Sequence, residues 1–346
     1  MRKARLAPAA GLLCIAVAIV LPLLRRSVAD VSAQSVPQFM SRIDLVEVAA
    51  MVTDANERPV AGLTIDDFQV QEDGKPVEVS AFIEIDSDRS SGPNDGRFLV
   101  LLLDDVHPIL LARIRQVAHM FVDRMGRRDV VAVLSLNGSH HPTTDQREVA
   151  TKQIDEFKAY TPGMMPSNAG GICPECGAAQ RMGPTGGAAA RSVGHALSMI
   201  ASLSDQLAQV QHRRKTLVFV GDPTLFGAAL ERAHPIQVPG AIRAASRADV
   251  SIDVVDAGGL RPTDDVDSFS RFSRQTDGAT DLVSSTGGLA FINSNFFDKA
   301  VEDVWQDAGH YYLLGYTAPT PASDVHRITV RVKRSGVQVR VRKYRR

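Results

Sequence analysis

Six apolar residues, Phe98-Leu99-Val100-Leu101-Leu102-Leu103, run without a break into Asp104-Asp105. A run of this length predicts a strand buried on both faces, the habit of a parallel sheet covered by helices. After Val106-His107-Pro108, the residues Leu110, Ile114, Val117, Phe121 and Met125 fall on one stripe at spacings of three and four. That spacing predicts a helix over residues 109–125. Two carboxylates at the carboxyl end of such a strand stand where open α/β sheets place their ligands.

The alternation continues along the chain. Residues 129–136 predict a second buried strand, followed by a helix carrying Val149, Ile154 and Phe157. Residues 161–187 read as a loop, and a loop of this length is usually functional. Residues 188–210 predict a helix. Thr216 to Val220 predicts a third buried strand, which ends in Gly221-Asp222-Pro223. A helix over 239–248, a strand over 250–255, a short strand over 289–292 and a helix over 296–308 complete the pattern. Residues 98–309 are therefore expected to form an α/β domain with a doubly wound, mostly parallel sheet.

Both flanks read as β structure. Residues 43–85 predict a small antiparallel β module with a tight turn at Asp73-Gly74. Residues 86–97 read as a linker. Residues 310–346 predict further strands: Ile328, Val330 and Val332 and, after Arg334-Ser335-Gly336, Val337, Val339 and Val341 alternate with polar and basic residues, which predicts a hairpin with an apolar and a basic face. Each end segment has an apolar face that needs a partner. The preferred reading packs the two ends together as halves of one β unit, with the α/β domain inserted between them. The alternative lays each separately on the α/β domain. Residues 326–346 hold nine Lys or Arg and no acid. The preferred reading of that basic tail is a solvated strand face that guards an edge from pairing. The alternative is a contact for acidic polymer or anionic lipid.

Residues 1–29 form a separate element. Arg2, Lys3 and Arg5 precede an apolar segment from Leu6 to Leu24, and small residues follow at Ser27-Val28-Ala29. This is the layout of an export signal. The alternative is an uncleaved membrane anchor. Cys14 reads as a passive apolar residue of that segment, and residues 30–42 as a linker. Removing residues 1–29 leaves 34 basic and 39 acidic residues, a charge of about −5. A nucleic-acid-binding chain would usually be basic overall, so that class is disfavoured. The remaining cysteines, Cys173 and Cys176, sit in a C-x-x-C spacing among glycines. In an exported chain they are expected to form a small disulfide loop.

The chemistry-bearing candidates are Asp104, Asp105 and Asp222. Carboxylates at neighbouring strand ends converge, and their oxygens suit Mg²⁺ or Ca²⁺. The alternative is that they cap the helices that follow. No G-x-S-x-G, no phosphate-cradling G-x-x-x-x-G-K and no H-E-x-x-H occurs. His140-His141 has no third ligand within reach in sequence.

Several segments together resemble a known family. They are Val52-Thr53-Asp54, Arg58 to Leu63, Asp66-Asp67-Phe68, Glu72 to Pro76, Leu102 to His107, Thr286-Gly287-Gly288 and Tyr311 to Tyr316. In this order they resemble the von Willebrand factor type A proteins of the VWFA-related Acidobacterial domain family, exported bacterial proteins, over roughly 43–343. The resemblance implies a divalent-ion site at which a partner's acidic residue completes the shell. Residue by residue, Asp104 matches the first Asp, Asp222 matches the later Asp, and Thr185 is the nearest match for the Thr. The two Ser positions hold Val106 and Pro108, so the site is degenerate.

The expectation is an exported, non-catalytic protein-binding protein, adhesive or scaffolding, periplasmic, envelope-bound or secreted. Its partner-binding edge would comprise Asp104, Asp105, His107 and Asp222, with docking on loops 104–108, 161–187 and 222–235. The rival readings are a metal-assisted hydrolase using Asp104, Asp105 and Asp222, and a structural envelope protein.

Overall fold

The computed structural model describes residues 45–89, 92, 95–136, 141–159, 188–210, 213–227, 237–262, 266–319 and 325–345. The chain divides into two units, Met1–Arg42 and Ile43–Arg346, and every described residue belongs to the second. The export or anchor segment, the 161–187 loop, Thr185, Cys173 and Cys176 lie outside the described residues.

Four strands come first: β1 (Leu45–Asp54), β2 (Phe68–Glu72), β3 (Lys75–Val77) and β4 (Val79–Asp86). The α/β part follows as β5 (Phe98–Leu103), α1 (Leu111–Val122), β6 (Val130–Ser135), α2 (Arg147–Glu156), α3 (Ala188–Leu207), β7 (Lys215–Gly221), α4 (Gln237–Ala248), β8 (Val250–Asp256), α5 (Val266–Thr286), β9 (Ala290–Phe291) and α6 (Phe297–Gly309). The chain closes with β10 (His310–Thr317), β11 (His326–Val332), β12 (Val337–Arg340) and β13 (Tyr344–Arg345).

β5 is buried along its whole length because it lies inside a five-stranded parallel sheet, order β6-β5-β7-β8-β9. Successive side chains point to opposite faces of a strand. Phe98, Val100 and Leu102 accordingly join a core with Ile200, Leu203, Ala245 and Leu282. Leu99, Leu101 and Leu103 join the opposite core with Ile114, Phe121, Ile154 and Val304. Helices therefore cover both faces, as the apolar run predicts.

Strands from the two chain ends share the same sheets. One sheet has the order β12-β1-β10-β4 and the other β13-β11-β2-β3, all pairs antiparallel. Val48, Val52, Phe68, Val70, Tyr312, Leu314, Tyr316 and Ile328 fill the space between them. The stretch 77–82, which alternates like one strand, is divided. β3 pairs with β2 in one sheet, whereas β4 pairs with β10 in the other. The chain changes sheets at Glu78, the residue between β3 and β4.

Three expectations are corrected. The strands expected to form a hairpin over residues 328–342 part, β11 pairing with β2 and β13 in one sheet and β12 with β1 in the other. The sequence reading placed no helix between residues 256 and 286, yet α5 occupies 21 residues there. Its buried face is lined by Thr276, Gly278, Ala279 and Thr286 beside Leu282 and Val283, so small and polar residues mask the apolar period. The basic tail is also not a solvated face throughout. Arg342 and Arg345 are buried. Arg342 pairs with Asp249 at 2.9 Å, Arg340 with Asp307, and Arg345 with Glu72. All three acids lie far from the tail in sequence, so their positions decide where these cations go.

Candidate functional site

The chain crosses from β5 to β6 on one side and returns with β7 on the other. Such a reversal opens a crevice between the carboxyl ends of the two strands. Here those ends carry Asp104 and Asp222.

Asp104 is 1% exposed. Its Oδ1 accepts from the Val106 N–H at 2.8 Å, and its Oδ2 accepts from the Asp222 N–H at 3.0 Å. His107 Nδ1 lies 2.7 Å from the same Oδ2. An ionised carboxylate only accepts, so the imidazole presents its Nδ1 proton. That hydrogen bond raises the His107 pKa above its ordinary value, against the opposing effect of burial. Gly221 makes the approach of the strand ends feasible, since a Cβ there would lie 2.2 Å from the Asp104 Cβ.

Asp222 caps the short 3₁₀ turn Pro223–Phe226 through a 2.9 Å bond from the Thr224 N–H to its Oδ1. Asp105 is buried, so of the four residues expected at the partner edge only His107 and Asp222 reach solvent.

A third carboxylate stands beside them. Asp256 ends β8, is fully buried, and accepts from the Gly258 N–H at 2.8 Å and the Asn293 N–H at 3.1 Å. Arg261 grips Asp256 with both terminal nitrogens, one of them at 3.1 Å from Oδ1. The latter nitrogen also lies 3.4 Å from Asp222 Oδ1. The guanidinium rests over the Phe272 ring at 4.9 Å. Gly258 and Gly259 let the loop fold back this tightly. A Cβ on Gly258 would lie 2.3 Å from Arg261, and Gly259 adopts a φ of +67°.

Asp256 and Arg261 escaped the sequence reading. The available signal was that β8 ends in Asp256, much as Asp222 follows β7, and that Gly258-Gly259 stands two residues before Arg261.

Among the described residues, two trios place one ligand atom each within 4.8 Å of the others: Glu72, Asp73 and His326, and Asp86, Asp88 and His310. Neither includes a residue of the strand-end cluster. In both, arginine engages the acids: Arg345 at Glu72, and Arg97 at Asp88 with bonds of 2.9 and 3.1 Å.

The described residues thus form an α/β unit with a five-stranded parallel sheet covered by helices on both faces, and antiparallel sheets built from the two chain ends. No protein-family profile matches this chain, and no curated protein matches it. Among solved structures, the chain is similar to the crystal structure of the human COPII-coat protein Sec24c, at 8% identity and a TM-score of 0.31. That match covers 76% of this chain and 46% of the other, so this chain spans less than half of it.

Proposed function

We propose that this is an exported, non-catalytic protein-binding protein of the VWFA-related Acidobacterial domain family, docking partners on the carboxyl edge of its parallel sheet. The observation that carries the reading is the apolar rim of that edge. Ile109, Leu260, Val266, Phe269 and Phe296 are five of the ten exposed large apolar side chains among the described residues. All belong to the segments that follow β5, β8 and β9 at their carboxyl ends. Hydrogen bonds knit these segments together. The Leu260 N–H donates to Asn295 Oδ1 at 2.9 Å, and Arg113 donates to the Gly258 carbonyl at 3.2 Å. Clustered apolar side chains around a polar centre are the composition of a protein interface core.

The experiment is site-specific photo-crosslinking in the exported fraction, with the reactive group at Leu260 or Phe296 and a control at Ile83 on the β sandwich. The reading expects one discrete adduct from the edge positions, lost in Phe269→Asp, and none from Ile83. Equal or absent labelling at all three sites would favour the structural envelope protein instead.

A further inference from the structure

The type A resemblance implies a divalent ion between Asp104 and Asp222, and the donor set here does not fit one. Five of the six carboxylate oxygens of Asp104, Asp222 and Asp256 already have a named donor. The two serine hydroxyls the site would use are replaced by Val106 and Pro108, and a backbone N–H fills the Asp104 oxygen facing β7. Hard cations need several oxygens free to turn inward together.

We infer that the Arg261 guanidinium is the resident cation of this edge, in the role a divalent ion plays in a type A domain. Three buried or half-buried carboxylates meet at three adjacent strand ends, and such charges need a compensating cation. Arg261 supplies it with two nitrogens on Asp256 and one shared with Asp222. A planar fork suits this bridging better than a point charge would. The arrangement is built in rather than incidental. Gly258 leaves room for the guanidinium, the Arg261 N–H is fixed to Asn293 Oδ1 at 2.7 Å, and Phe272 packs against its face. Arg261 thereby joins the ends of β7 and β8, and the Asp222 N–H joins that pair to Asp104 at the end of β5. The inference concerns the same edge as the docking proposal, but it is read on the isolated chain and so stands or falls separately from it.

The test is thermal unfolding of the full chain, stripped with chelator, then titrated with Mg²⁺, Mn²⁺ or Ca²⁺. A cation held in hundredfold excess over its Kd would raise Tm by roughly 5 °C. The wild type is expected to show no shift that depends on Asp222. Arg261→Ala leaves Asp222 and Asp256 on backbone donors alone, with their charge uncompensated, and is expected to melt lower and to regain stability with a divalent ion. Arg261→Lys, which keeps the charge, is expected to stay insensitive. As a measurement that needs no Arg261 variant to fold, Mn²⁺ binding to the wild type is followed by electron paramagnetic resonance. A stoichiometric site lost in Asp222→Asn would overturn the inference. So would an Arg261→Ala protein that folds but responds to cations no more than the wild type. Binding unchanged in Asp222→Asn belongs to another carboxylate set and leaves the inference upheld.

Discussion

Asp104 Oδ2 accepts the backbone N–H of Asp222 at 3.0 Å, so a single side chain ties the ends of two neighbouring parallel strands. The same carboxylate holds the Val106 N–H and the His107 ring. Asp104→Ala removes the acceptor of these half-buried donors. The expected loss is about 3 kcal/mol, since each unsatisfied group costs about 1–3 kcal/mol. Asp104→Asn retains one acceptor oxygen and is expected to lose less. Urea denaturation of both variants checks this, and equal stability to wild type would refute it.

Gly278 lies inside α5, where alanine would normally stabilise a helix by about 1 kcal/mol. A Cβ at this position would fall 1.6 Å from the Phe226 carbonyl oxygen. Gly278→Ala is therefore expected to destabilise, by about 2 kcal/mol, because the helix must move off the 3₁₀ turn beneath it. A gain in Tm would show that α5 sits further from that turn.

Asp253 is fully buried, and one of its oxygens has no hydrogen-bond partner. Burial, reinforced by the charge of Asp307, pushes its pKa up to about 7. The folded state thus holds this proton more tightly than the unfolded state does. Its contribution to stability is full at or below pH 4 and is lost as pH rises towards 7. Asp253→Asn keeps an acceptor for the Leu289 N–H and carries no charge. Its stability relative to wild type is expected to improve from pH 4 to pH 7 and then level. A gap that does not change with pH would contradict the assignment.

Arg345 and Glu72 form a buried ion pair, and the Tyr316 hydroxyl donates to Glu72 Oε2 at 2.7 Å. Burial, and then Glu72, pushes the Tyr316 pKa above its ordinary value. Arg345→Ala removes the guanidinium that pairs with a buried carboxylate and is expected to lose about 3 kcal/mol. Glu72→Gln combined with Arg345→Met is expected to lose less than the two single changes added together. Strict additivity in chemical denaturation would show that the two groups do not act as a pair.

The parallel sheet was legible because burial on both faces leaves an unbroken apolar run, as in Phe98 to Leu103 and Thr216 to Val220. The strand-end positions of Asp104 and Asp222 were legible because Asp104 follows such a run directly and Asp222 follows one after a single glycine. α5 was not, because Gly278, Ala279 and Thr276 are chosen for close approach rather than for apolar area. Arg261 was not, because its role depends on a turn that folds it back onto Asp256 and towards Asp222, which the Gly258-Gly259 pair permits but does not specify. The same holds for Arg342, whose partner Asp249 is on the far side of α5 in sequence. Ion pairs across long separations are facts of tertiary structure alone.

The sheet that joins β1 to β10 and β12 has a consequence in time. Val48 pairs with Leu314, and Val52 with Val339. At about 5–20 residues per second, a growing chain makes β1 on the order of tens of seconds before either partner exists. The α/β layers are contiguous in sequence and can close in that interval, but the sandwich cannot. A chain that stops short of β10 leaves Val48, Ala50 and Val52 uncovered, an apolar strand edge of the kind that quality-control machinery and aggregation both recognise. The fold therefore reports its own completion, since the first strand made among the described residues is among the last to be covered.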